Sequence, residues 1–119
     1  MTTNRLSTVS VLILCVASVA SAQTKSLSGE IMDAPCAQMG SHESMMKAEN
    51  ATNAKECTLA CVKTHAGDLV LYDAANKNVY KLDDQAKAKT FAGEKVTVTG
   101  AYDDTSKTIH VQSITSAGR

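Results

Sequence analysis

The chain has 119 residues, with twelve basic and twelve acidic side chains, four aromatic residues and no tryptophan. This length accommodates one domain, and the composition is that of a globular protein. The balanced charge and the scarcity of aromatic rings argue against nucleic-acid binding, which needs basic groups for the phosphates and rings for base stacking.

The first residues have the pattern of a secretory signal peptide. Arg5 supplies a positive charge, and residues 9–19 form an apolar stretch that is shorter than the about 20 residues of a membrane-spanning helix. Small residues at its end provide a cleavage site, so we predict a signal peptide at 1–22 and a single domain at 23–119. This predicts a periplasmic or secreted protein with no membrane span after cleavage. An uncleaved anchor and a lipoprotein modified at Cys15 are the alternatives.

Strand and helix patterns follow one another along the remaining chain. Segments in which apolar and polar residues alternate are typical of half-buried strands, and Asn53 with Glu56 is typical of a helix N-terminus. The predicted elements are a strand at 27–31, a helical insert at 36–66 with its main helix at 54–64, strands at 69–72 and 79–82, a short helix from Asp83 or Asp84 to Phe91, and a hairpin from Val96 to Ile114.

This order of elements predicts a mainly β fold with a small helical insert. Five short strands with a helix between the third and the fourth are the plan of an OB-fold barrel. We therefore expect a five-stranded OB-fold-like barrel that has one cysteine-bearing helix after strand 1 and a short helix between strands 3 and 4. Closure of the barrel protects strand edges that an open sheet exposes.

Three cysteines remain after the predicted cleavage, which is an odd number for an oxidising compartment. Cys57 and Cys61 are four residues apart, so they lie on one face of the predicted helix. Together with Cys36 and His42 they make a Cys₃His set, which is a recognised zinc-binding combination. We predict these four residues as metal ligands, with His65 as a substitute for His42.

The nearby methionines widen the range of metals that the insert is predicted to bind. Met39, Met45 and Met46 lie in the same segment as Cys36 and His42. Thioether sulfur is a soft ligand that favours copper(I). Zinc and copper are therefore both candidate cofactors.

A disulfide is the competing interpretation of the same cysteines. A bond from Cys36 to Cys57 or Cys61 would fasten the insert to the first strand and leave one free thiol. Such a bond, which closes a loop of about 20 residues, stabilises by roughly 3 kcal/mol in the chain-entropy model. Both interpretations place Cys36 beside the helix face that carries the other two cysteines.

A non-enzymatic binding or structural role is the function that these features predict. The partner would be a small ligand or a component of the cell envelope. A thiol redox protein that uses Cys57 and Cys61 is the alternative, and it requires one thiol to ionise near neutral pH. The sequence has no Gly-rich phosphate loop and no pattern typical of a Ser-His-Asp triad.

The pattern also resembles a group of uncharacterised small secreted bacterial proteins with an OB-fold-like barrel and a Cys/His insert. The resemblance covers most of the chain after residue 22. It implies an exported location and a small barrel, and it brings no established activity. The residues that carry it are the segments 27–33 and 95–100, Cys36, His42, and the pair Cys57 and Cys61.

Overall fold

Five strands form a closed barrel. Four of their pairings are antiparallel and one is parallel. The computed structural model describes residues 22–65 and 67–117. The neighbours around the barrel follow the order β1-β2-β3-β5-β4. The strands are β1 (Gln23–Asp33), β2 (Leu69–Asp73), β3 (Asn78–Leu82), β4 (Lys95–Asp103) and β5 (Thr108–Ser116), and the helices are α1 (Ala34–Met39), α2 (Glu43–Ala48), α3 (Ala54–His65) and α4 (Gln85–Thr90).

The long first strand divides its length between its two neighbours in the barrel. Its residues 23–30 pair with β4, and its residues 30–33 pair with β2. The chain then returns through the β2–β3 and β4–β5 hairpins. The parallel pairing of β3 with β5 closes the barrel, and only two residue pairs make it in the described part of the chain: Lys81 with Thr108, and Leu82 with Ile109.

Apolar side chains from all five strands and from α4 fill the barrel. Alternate residues of the strands point inward, as the period of a pleated strand requires. We call this set the barrel core. Its buried members are Ile31, Leu69, Leu71, Leu82, Ala88, Val96, Val98, Ile109 and Ile114.

The insert between β1 and β2 covers the outer face of those two strands. Met32 and Val70 point away from the barrel core and pack with residues of α1 and α3. Both faces of β2 are therefore buried, which explains why its sequence is a continuous apolar run rather than an alternating one.

Local capping signals fix where the helices begin. Asp33 accepts a hydrogen bond from the Cys36 amide and so caps α1, and Asp84 caps α4 in the same way. The Glu56 amide donates to Asn53 Oδ1 over 2.9 Å at the start of α3. Gly93, with φ at +74°, contacts this end of α3, where a Cβ would lie 2.5 Å from the Lys55 backbone nitrogen.

The predicted fold is confirmed: a mainly β, five-stranded closed barrel with a helical insert after strand 1 and a short helix between strands 3 and 4. The insert holds three helices within 34–65, rather than one main helix in otherwise irregular chain. Residues 1–21 of the predicted signal peptide lie outside the described residues. Within the part that is described, no helix is long and apolar enough to cross a membrane.

Candidate metal centre

The insert brings its three cysteines together in a second core. Cys36 lies in the first turn of α1, and Cys57 and Cys61 lie one turn apart on α3. Met32 and Val70 complete this core from the outer face of the barrel. We call the three cysteines and the residues packed with them the cysteine core.

All three thiols are buried, and no disulfide joins them in the described chain. Burial raises the pKa of each thiol, because a thiolate loses its hydration there. The pKa of Cys61 rises to about 12, and the carboxylate of Asp33 adds to the rise. For Cys36 the hydrogen bond and negative charge of Asp33 act in the same direction as burial. Without a cation the cysteine core therefore keeps its thiols protonated at neutral pH.

Two groups of ligand atoms meet the spacing of a metal site, and they share one cysteine. A ring nitrogen of His42 lies within 4.8 Å of the sulfur atoms of Cys36 and Cys57, which also lie within this distance of each other. A carboxylate oxygen of Asp33 and the sulfur atoms of Cys36 and Cys61 form the second group with the same spacing. These five residues could hold a metal ion.

The two ring nitrogens of His42 have different surroundings, and one of them binds a carboxylate. Its Nε2 atom lies 2.8 Å from Glu30 Oε1, and its side chain is only 11% exposed. Its Nδ1 atom is buried and has no hydrogen-bond partner among the described residues. A histidine that ligates a metal through one nitrogen and donates to a carboxylate through the other has this arrangement.

A left-handed glycine puts His42 in this position. Gly40 ends α1 with φ at +75°, a conformation that glycine adopts without the clash of a Cβ atom. The chain then reverses and returns along β1, which brings His42 opposite Glu30. His42 next begins α2, whose Met46 amide donates to its carbonyl oxygen.

Asp33 is the member of the cluster that sequence reasoning missed. Its Oδ2 atom accepts from the Cys36 amide over 3.0 Å. Its Oδ1 atom is buried without a hydrogen-bond partner in the part of the chain that the structure describes. The order Asp-Ala-Pro-Cys at 33–36 is a helix-start signal, since Asp is a preferred N-cap and Pro a preferred first residue. Such a signal accounts for Asp33 as a cap and does not by itself point to a metal ligand.

The other predicted contributors lie farther from the cluster or are solvent-exposed. His65, the predicted substitute for His42, lies 3.0 Å from Glu49 Oε1, is 47% exposed and belongs to neither ligand group. Met39 is 52% exposed. Met45 and Met46 pack against the cysteine core. Of the predicted ligands, therefore, the three cysteines and His42 come together, and His65 does not join them.

An open cleft of about 460 Å³ lies beside the cluster and reaches His42 from the solvent side. Its walls are mainly apolar, with Glu30 and Lys95 as charged members and Tyr72 as the aromatic one.

Comparison with known proteins finds no matching family model, no matching curated protein and no matching solved structure. The resemblance to small secreted barrel proteins stays a prediction.

Proposed function

We propose that the protein is an exported, non-enzymatic metal-binding barrel whose insert holds a soft metal ion through Cys36, His42, Cys57 and Cys61. One observation carries the proposal. The His42 Nδ1 atom is buried without a hydrogen-bond partner in the described chain. A ring nitrogen of His42 lies within 4.8 Å of the sulfur atoms of Cys36 and Cys57, which no disulfide joins. Leaving a buried polar atom unpaired costs about 1–3 kcal/mol, and a bound metal ion removes that cost.

A metal uses this arrangement more completely than a disulfide does. One disulfide consumes two of the three sulfur atoms and leaves both the third thiol and His42 Nδ1 without a function. A metal ion displaces the thiol protons and binds the resulting thiolates together with the neutral imidazole. Burial of negative charge raises the pKa of the thiols, and the cation compensates that charge.

Zinc is the favoured ion and copper(I) the second candidate. Zinc accepts sulfur, imidazole and carboxylate ligands, all of which are present here. Copper(I) prefers soft sulfur ligands, so the carboxylate of Asp33 counts against it. The packing of Met45 and Met46 on the cysteine core keeps copper(I) as the second candidate.

The thiol redox alternative has less support. An attacking cysteine must be a thiolate and must be reached by its substrate. Cys57 and Cys61 are both fully buried, and burial raises the pKa of both. These features favour ligands that stay protonated until a metal ion arrives.

Native mass spectrometry of protein from the exported fraction, before and after reduction, tests the proposal, with two matched histidine variants. We expect the wild type and His65→Gln to retain zinc equally, because His65 belongs to neither ligand group. His42→Gln removes a ligand, and we expect its zinc affinity to fall at least tenfold in competition with a chelator. After denaturation, all three cysteines of the loaded protein should react with an alkylating reagent.

Two results would contradict the proposal. A mass two units low, with one alkylatable thiol and no zinc uptake after reduction, would establish the disulfide interpretation. Three free thiols that take up neither zinc nor copper(I) would reject both accounts of the insert. Preference for copper(I) over zinc in the same competition would reverse the choice of ion and keep the site.

A further inference from the structure

We propose that the cluster is built for two zinc ions, with the Cys36 thiolate as the bridge between them and Asp33 as a ligand of the second ion. This inference rests on the proposed function. It adds a second ion and Asp33 as a fifth ligand, and it assigns Cys61 to the second ion. The first ion would be bound by Cys36, His42 and Cys57, and the second by Asp33, Cys36 and Cys61.

The division of the ligand atoms is the first argument. The two groups that fit a metal each contain three ligand atoms within 4.8 Å of one another, and Cys36 is the member that they share. His42 belongs to one group, and Asp33 and Cys61 belong to the other. A sulfur atom that is common to two adjacent sites is a natural bridging ligand, since a thiolate has more than one lone pair.

The distribution of unpartnered atoms is the second argument. Within the described chain three buried side-chain polar atoms lack a hydrogen-bond partner. Two of them, His42 Nδ1 and Asp33 Oδ1, belong to residues of the two ligand groups, one in each. A single ion at the first group would satisfy His42 and leave the Asp33 oxygen unpaired. Two ions satisfy both atoms.

The charge of the cluster is the third argument. Three thiolates and the Asp33 carboxylate carry four negative charges when ionised, and His42 is neutral as a ligand. One zinc ion at the first group balances the thiolates of Cys36 and Cys57, while Cys61 stays protonated. The charge of the Asp33 carboxylate is then left uncompensated in a buried site, which is costly. Two zinc ions balance the cluster. Glu30 lies outside this balance because it pairs with the far nitrogen of His42.

Native mass spectrometry at saturating zinc tests the inference with a matched pair of aspartate variants. We expect two ions in the wild type and one in Asp33→Asn, since asparagine still caps α1 but lacks the carboxylate charge. Asp68→Asn makes the same chemical change at an exposed position next to the insert, and we expect it to keep two ions. The one ion that Asp33→Asn retains also serves as the check that the variant folds.

A cobalt(II) titration gives an independent readout of the bridge. Thiolate-to-cobalt absorption should rise until two equivalents are bound. The paramagnetic signal of the first equivalent should weaken as the second binds, because two cobalt ions on one sulfur atom couple magnetically.

The outcomes separate this inference from the proposed function. One zinc ion in the wild type and in both variants would overturn the two-ion centre and leave the proposed function standing. Two ions in Asp33→Asn would overturn the role of Asp33. No zinc in any protein would overturn the proposed function itself.

Discussion

Two cores lie on opposite faces of β1 and β2, and they are built from different side chains. The barrel core contains branched aliphatic residues that adjacent strands contribute in alternation. The cysteine core has three cysteines and one methionine among its buried residues, with little aliphatic surface. The first core is typical of a protein that folds by apolar burial alone, whereas the second contains side chains that could hold a metal ion.

This difference in side-chain composition indicates which part of the molecule we expect to depend on a metal ion. A leucine or isoleucine that is removed from water stabilises by about 1.5–3 kcal/mol, and the barrel core has several. The helices α1, α2 and α3 contribute mainly small or sulfur-containing side chains to the cysteine core, and Val62 of α3 packs against the barrel core. We therefore expect much of their packing to depend on what joins the sulfur atoms. We expect the barrel to fold without metal and the insert to need it for full order.

The largest expected effect comes from a leucine of the barrel core. Leu71 is fully buried there, and Leu71→Ala should lower the free energy of unfolding by about 2–5 kcal/mol because it leaves a cavity. Leu59, on α3 and outside both cores, is the matched control, and Leu59→Ala should cost less than about 1 kcal/mol. Urea denaturation with and without zinc measures both.

The loss at Leu71 should be the same with and without zinc, since the barrel core contains no ligand. A loss that appears only after zinc is removed would contradict the independence of the two cores.

The second prediction concerns the cysteine core after reduction and chelation. Unfolded thiols ionise near pH 9, whereas burial keeps Cys61 protonated until its pKa of about 12. The folded state thus holds more protons than the unfolded state between these values, and its stability falls as pH rises. Cys61 contributes at most about 1.4 kcal/mol per pH unit to this fall in the free energy of unfolding.

Denaturant unfolding between pH 8 and pH 11 measures this effect. The free energy of unfolding should decline less steeply with pH in Cys61→Ser than in the wild type. The difference in slope should correspond to one bound proton. Zinc-loaded protein should lack the Cys61 contribution, because its thiolates are already formed in the folded state. Equal slopes for chelated wild type and Cys61→Ser would show that Cys61 ionises freely in the fold.

The smallest expected effect lies on the barrel surface, at the pair formed by Asp83 and His110. Asp83 accepts from the Val111 amide, which is the largest cause of its lowered pKa, and its other oxygen lies 3.1 Å from His110 Nδ1. Asp83→Asn keeps an acceptor for the amide and removes the charge. Because the pair is about half exposed, we expect a loss below about 1 kcal/mol that shrinks in high salt.

Asp104→Asn provides the control for this measurement, since Asp104 is 83% exposed and pairs only with Lys107 and Tyr102 in the described structure. Thermal unfolding at low and high salt compares the two variants. A salt-independent loss at Asp83 would mean that geometry at the amide, rather than charge, stabilises this position.

The sequence predicted the fold well because its local signals agree with one another. Apolar alternation located the strands, and Asn53 with Glu56 located the start of α3. The shared helix face of Cys57 and Cys61 follows from a spacing of four residues. Periodicity and capping are local properties, so they can be read without knowledge of the fold.

The remaining parts of the site depend on contacts that no local signal encodes. The approach of His42 to Glu30 depends on the reversal at Gly40, and the sequence alone does not show the direction of the returning chain. Asp33 caps a helix through one carboxylate oxygen, and the sequence does not show that its second oxygen is buried without a hydrogen-bond partner in the described chain. His65 was placed with the cysteines because helix spacing shows a shared face but not what that face contacts.

The short pairing of β3 with β5 has a consequence for the order in which the barrel assembles. The β4–β5 hairpin joins neighbours in sequence, and such hairpins form within about 1–10 μs. The β3–β5 pairing joins residues 81–82 to residues 108–109 through two pairs alone in the described chain. It has to wait until α4 and the hairpin have formed, because non-local contacts carry the entropy cost of closing the intervening chain. In the native protein we expect this short pairing to open more easily than the β1–β4 pairing. The amides of Lys81 and Asp83 donate hydrogen bonds across it, so they should exchange with solvent before the amides of the β1–β4 pairing.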